Sequence, residues 1–206
     1  MKLIDISHTL SNESPVYPGT TEISITKNKT LENDYYNAYV MISGFHVGTH
    51  IDIPMHLTED EKMVKDFPLD DFIGKGILLD VRGENSIVMK TSYEDTVVND
   101  SIVLLYTGFD QHYYEDRYFK QHPTVDSKLT DFLISKKIKM LGMDMPAPDF
   151  PPFPCHKALF SNGIYVIENL TNLQNLLEID NFEVIAFPLK ISAEASFARV
   201  VCRLTC

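Results

Sequence analysis

Three of the seven histidines fall within one short segment, His46-Val47-Gly48-Thr49-His50-Ile51-Asp52-Ile53-Pro54-Met55-His56. Every polar candidate in it, His46, His50, Asp52 and His56, sits at an even position. Along an extended chain successive side chains alternate faces, so imidazole and carboxylate groups share one face and apolar groups the other. A helix is the poorer reading, because Gly48, Pro54 and the β-branched residues all work against it. A straight strand from His46 to His56 would span about 33 Å. One metal centre cannot be that long, so the spacing predicts a bend, with Gly48 and Pro54 as the residues able to make it. Imidazole nitrogen with carboxylate oxygen suits Zn²⁺, Mn²⁺ or Fe²⁺. The plain alternative is a row of surface histidines.

A second cluster lies far down the chain, with His156 after Cys155 and Glu168 at the end of the apolar run Ile164-Tyr165-Val166-Ile167. An ionised carboxylate there is costly unless a cation or metal pairs with it; otherwise it must reach solvent. His156 has its own alternative, a helix-start histidine after a Pro-rich loop. Asp52, Glu168, His156 and the three histidines of the first segment make six candidates. One catalytic zinc takes about three protein ligands. Two metals sharing carboxylates resolve the count and leave one group spare as a proton carrier. Cys155 and His156 do not read as a nucleophile pair, because adjacent residues on an extended chain point to opposite faces.

The elements that must position these groups are mostly strands. Alternation or short apolar runs predict strands over 2–10, 22–27, 36–45, 77–81, 102–106, 183–187 and 197–204, and residues 14–19 read as a loop. Helical spacing predicts helices over 111–121, 125–136, 156–162 and 171–178. Tyr35, Tyr36 and Phe45 read as core aromatics, with a substrate wall as the alternative. His8, His112 and His122 read as structural or surface residues, and Lys136-Lys137-Ile138-Lys139 as a solvated helix end. The order predicts one α/β domain over residues 1–206, with a mixed central sheet or small barrel and flanking helices. No glycine-rich phosphate loop is present.

Lys plus Arg number 18 against 29 Asp plus Glu, a net charge of −11. That balance argues against a nucleic-acid partner and against an anionic membrane surface. No apolar run approaches the ~20 residues of a membrane span. The opening residues lack a signal-peptide stretch, and three cysteines fit reduced thiols, so the expected location is cytoplasmic.

The segment His46-x-Gly48-Thr49-His50-x-Asp52-x-Pro54-x-His56 resembles the signature of the bacterial kynurenine formamidase and cyclase family of metal-dependent hydrolases. The likeness extends to Asp5-Ile6-Ser7, Pro15-x-Tyr17-Pro18-Gly19, Gly142-Met143-Asp144 with Pro148-Asp149 as a mid-chain loop, and His156-Lys157-x-Leu159 leading to Ile167-Glu168-Asn169-Leu170. The resemblance implies a swivelling β/β/α fold and a homo-oligomer, dimer or tetramer. It implies two zinc ions per chain, or manganese. His46, His50 and Asp52 would hold the first ion; Asp52 would bridge to a second held by His156; Glu168 would bind both. His56 would be the general acid and base, and Tyr17, where relatives typically carry Trp, would stack on a small-molecule substrate. The implied reaction is hydrolysis of an aryl formamide such as N-formyl-L-kynurenine by metal-activated water. Rival expectations are opening of a lactam such as isatin, a metal-dependent cyclase or dehydratase, and a metal-binding module without activity.

Overall fold

The structure is a computed structural model and describes residues 2–204. Cys155 and Cys202 are free and buried; Cys206 lies outside the described residues. The strands are β1 (Leu3–Asp5), β2 (Ser24–Lys29), β3 (Ala38–Ile42), β4 (His50–Asp52), β5 (Ile73–Asp80), β6 (Ser86–Ile87), β7 (Ile102–Tyr106), β8 (Thr124–Val125), β9 (Met140–Met143), β10 (Tyr165–Glu168), β11 (Phe182–Ile185), β12 (Ala195–Phe197) and β13 (Val201–Leu204). The α-helices are α1 (Leu31–Asp34), α2 (Tyr93–Thr96), α3 (Ser127–Ser135) and α4 (Pro154–Ser161).

Nine strands form one mixed sheet in the order β1-β13-β11-β5-β7-β9-β10-β4-β12. Its centre, β5-β7-β9-β10, is parallel, and antiparallel strands flank it on both sides. The sheet curls into a half-barrel with apolar layers on both faces. Along β7 the period-2 alternation sends Ile102, Leu104 and Tyr106 into the inner layer with Ile51, Ile53, Ile167 and Phe182. Val103 and Leu105 go to the outer layer, which α3 and α4 cover with Leu129, Leu133, Leu159 and Phe160. This two-sided burial is what continuous apolar strands require. Asp126 starts α3 by accepting from the Leu129 amide at 2.7 Å, and Pro154 opens α4 at a position where its missing N–H costs nothing. The expected α/β class with a mixed sheet and flanking helices holds.

Several expected boundaries do not. Residues 111–121 are not an α-helix: a 3₁₀ turn at Phe109–His112 gives way to turns. The buried aromatics there, Tyr113 and Tyr118, stand five residues apart, a spacing that no helical stripe uses. Residues 171–178 shrink to a 3₁₀ turn, Leu173–Leu176. Its two buried leucines are three apart, which matches the three-residue period of that helix. The mid-chain loop expected around Gly142-Met143 is the central strand β9. The strand expected over 2–10 stops at Asp5, and 197–204 divides into β12 and β13 around an interruption at residues 198–200. The strands expected over 22–27 and 36–45 exist, yet they pair only with each other as a hairpin. Tyr35 and Tyr36 are therefore 90% and 56% exposed rather than core, while Phe45 is half-buried against Phe197, ring centroids 5.7 Å apart.

Candidate metal centre

β4 lies between β10 and β12, and its register with β10 sets His50 opposite Glu168 and Asp52 opposite Val166. Directly opposed residues point to one face, and a residue two further along shares it. His50, Glu168 and Asp52 therefore converge. The predicted bend is present at both ends of β4. Gly48 adopts φ +61, and a Cβ there would stand 2.5 Å from Leu10 Cδ2, so the turn needs glycine. Pro54 opens a 3₁₀ turn, Pro54–His56. These turns bring His46 and His56 back over the strand, ring centroids 4.2 Å apart. His156 arrives from α4, so the structure gathers all six sequence candidates.

Two ligand-like groups result: His46, His50 and Asp52, and Asp52, His156 and Glu168, the donor atoms of each lying within 4.8 Å of one another. Asp52 is common to both. His46 Nδ1 stands 3.0 Å and His50 Nε2 3.3 Å from Asp52 Oδ1. Glu168 spans the groups, with Oε2 at 3.4 Å from His50 Nε2 and Oε1 at 3.1 Å from His156 Nε2. His50 Nε2 and Asp52 Oδ1 are buried with no hydrogen bond between them or to any other group. They approach one another without donor–acceptor geometry, as ligands aimed at a shared point do. The donor set therefore fits divalent metal.

Each histidine turns its other nitrogen outward to an acceptor. His46 Nε2 reaches Glu194 Oε1 at 3.2 Å. His50 Nδ1 donates to the Gly48 carbonyl at 2.8 Å. His156 Nδ1 meets Asp149 Oδ1 at 2.6 Å. Such outer partners fix the tautomer and leave the inner nitrogen free to bind metal. Asp149 is itself anchored, its Oδ2 accepting from the Cys155 amide at 2.6 Å.

Electrostatics follow from burial. Burial alone would raise the Asp52 carboxyl, but His50 and His46 outweigh it and hold it well below the usual carboxylate range. Glu168 is likewise lowered, against burial, by His156 and His50. Burial would lower the three histidines, but the carboxylates raise them instead: His46 to about 9, His156 to about 10, and His50 in the same direction. His56 goes the other way, because burial dominates and keeps it neutral.

The groups open onto a cavity of about 220 Å³. His46, Asp52, His56, His156 and Glu168 line its polar end, and Tyr17 and Phe119 form an apolar wall. Tyr17 and Phe119 meet edge to face, centroids 5.7 Å apart. The sequence does not mark Phe119, Glu194 or Asn169, of which Phe119 and Asn169 line the cavity. Phe119 falls in the misread 111–121 segment, and nothing in the sequence marks Glu194. The family motif contains Asp149 but does not mark it as the partner of His156 Nδ1. Cys155 faces away, its thiol receiving the Thr130 hydroxyl at 3.2 Å and pushed up to about 12 by burial. His8, His112 and His122 lie outside both groups: His8 stacks on Tyr113, His112 meets Glu115, and His122 stacks on Phe150.

The Cyclase family profile matches residues 4–150. A kynurenine formamidase from Bacillus mycoides is 31% identical over 205 residues, covering 97% of this chain and 96% of its own length. The crystal structure of an isatin hydrolase bound to the product analogue thioisatinate superposes with a TM-score of 0.87 at 20% identity, covering 98% of this chain and 91% of that one. A "predicted metal-dependent hydrolase" from Bacillus stearothermophilus superposes at 0.77 with 25% identity, covering 98% and 97%. Fold, length and profile agree: the chain belongs to the cyclase family.

Proposed function

We propose that this chain is a metal-dependent amidohydrolase that cleaves a small aryl formamide, with N-formyl-L-kynurenine giving kynurenine and formate as the lead reaction. The observation that carries the reading is the pair of three-donor groups sharing Asp52, with a further neutral histidine, His56, beside them in one cavity. Relatives about 30% identical over nearly the whole chain are named kynurenine formamidases, which supports the substrate class.

In this reading His46, His50 and Asp52 would hold one divalent ion, and Asp52, His156 and Glu168 would hold a second. Zinc or manganese, when bound there, supplies Lewis acidity and lowers the pKa of water. His56, neutral through burial, accepts a proton and returns it to the leaving nitrogen. The Tyr17 and Phe119 rings receive the aryl group. The cavity is smaller than the ~300–1,000 Å³ of drug-sized sites, which favours a small substrate. The nine-strand sheet and its helices act as one domain.

Among the described residues no helix is long and apolar enough to cross a membrane. Free buried cysteines support a cytoplasmic location. The exposed apolar residues of the β2–β3 hairpin, among them Tyr39, Met41 and Ile42, support a homo-oligomer.

The test is turnover of N-formyl-L-kynurenine by purified protein after chelation and restoration of zinc or manganese. Metal-dependent release of kynurenine is expected. No turnover by metal-loaded protein rejects the substrate. In solvent H₂¹⁸O the label enters the product acid of a hydrolase, and its absence there would favour a dehydrating lyase. His56→Ala is expected to retain metal and lose most turnover; loss of metal would place His56 among the ligands.

A further inference from the structure

Asn169 follows Glu168 in the left-handed region, φ +55, and is 4% exposed. Its side chain makes two bonds that no catalytic role requires. Nδ2 donates to the Gly48 carbonyl at 3.0 Å, the same oxygen that accepts from His50 Nδ1 at 2.8 Å. Oδ1 accepts from the Tyr118 hydroxyl at 2.9 Å. Tyr118 is fully buried, and its neighbour Phe119 lines the cavity. Asn169 also takes the Thr49 hydroxyl on its own carbonyl at 2.5 Å.

The polarity of this chain is forced. A carbonyl only accepts, so Gly48 requires the amide nitrogen of Asn169 and a proton on His50 Nδ1. Asn169 Oδ1 must then face Tyr118, which must donate. In the neutral ring the proton then sits on Nδ1, and Nε2, facing Asp52 and Glu168, is the nitrogen able to bind metal. The weak point is Gly48 itself, because a glycine peptide in the left-handed region rotates with little steric resistance. Turning that carbonyl away would release His50.

We propose that Asn169 and Tyr118 are positioning residues: together they pin the Gly48 carbonyl, fix the tautomer and direction of His50, and tie the metal centre to the Phe119 wall of the substrate cavity. The inference rests on the metal-centre reading above. Nothing in it requires contact with substrate.

Asn169→Gly removes the amide and tolerates the left-handed backbone; Tyr118→Phe removes one hydroxyl. Metal-free protein is titrated with zinc against a chromophoric chelator, and separately loaded with cobalt for its visible absorption. The zinc dissociation constant is expected to rise about 10–100-fold for Asn169→Gly, the range for lost outer partners of a ligand, and about tenfold for Tyr118→Phe. The cobalt band should change position or intensity in both. Far-ultraviolet circular dichroism should match wild type. Phe119→Leu, which alters the wall and its edge-to-face contact with Tyr118 but removes no hydrogen bond of the network, should keep wild-type zinc affinity. A lower melting temperature with unchanged zinc affinity and cobalt spectrum in both variants would reduce the network to packing and overturn the proposal. Wild-type protein that takes up no zinc would overturn the metal-centre reading as well.

Discussion

Loading the centre with metal is expected to expel protons, and the structure sets how many and over which pH range. Without metal, His156 and His46 titrate near 10 and 9, because Asp149, Glu168 and Asp52 hold their protons against the cost of burial. Both are charged at neutral pH, and both must be neutral to bind metal. Each protonated ring weakens apparent binding by the difference between its pKa and the pH. At pH 7 that is at most about 10³-fold for His156 and about 10²-fold for His46, or about 4 and about 3 kcal/mol at ~1.4 kcal/mol per unit. Apparent affinity should therefore climb at least about a hundredfold per pH unit between pH 7 and 8, at least two protons being displaced, and less steeply as pH reaches 9. Isothermal titration calorimetry of zinc uptake in buffers of different ionisation enthalpy counts those protons directly; at least about two per chain are expected at pH 7.5, and His50, raised in the same direction, adds to that number. The same shifts govern the metal-free fold. A raised histidine pKa stabilises fully below the unfolded value of ~6.5, and that contribution is lost as pH rises through 9 to 10. The melting temperature of metal-free protein should then fall across that range. Buffer-independent heats, with fewer than about half a proton released per chain, would refute the reasoning.

Three further outcomes are expected. Asp149→Ala removes the acceptor of His156 Nδ1 and of the Cys155 amide at the start of α4; denaturant unfolding should show a loss of ~2–4 kcal/mol, and zinc affinity should fall ~10–100-fold. Unchanged zinc binding would mean that packing alone orients His156. Gly76→Ala would place a methyl group 2.0 Å from the buried Phe182 ring, and urea titration should show ~1–3 kcal/mol of overpacking; a neutral result would show that Phe182 can move aside. His8, lowered to about 4 mainly by burial, should stabilise the neutral-pH fold by at most about 3 kcal/mol. That contribution is complete above ~6.5 and is lost as pH falls toward 4. His8→Gln should flatten stability between those limits, and an unchanged acid limb would contradict the assignment.

The chemistry was easier to read from the sequence than the geometry around it. Period-2 alternation over His46–His56 exposed one polar face, and the need to bend it pointed to Gly48 and Pro54, where the chain does bend. The β7 run was legible because both its faces are buried. The 111–121 segment misled because its course is set from outside: Asp144 accepts from the Thr107 and Gly108 amides and steers the chain into turns. The hairpin aromatics have strand character, but nothing local states that the hairpin stands off the main sheet. Glu194 and Asn169 act through contacts across 148 and 121 residues, and such pairings have no local signature.

The order of strands also sets a schedule for assembly. β4 carries His50 and Asp52 but pairs with no strand that precedes it; its neighbours are β10 and β12, made more than a hundred residues later. A ribosome that has released the first 150 residues has delivered the histidine segment without its scaffold. The three stretches that carry the candidate donors must wait for one another, so the two donor groups are complete only in the finished sheet and not in the growing chain. Until then the imidazoles and the Asp52 carboxylate stand apart from Glu168 and His156, which complete the second donor group.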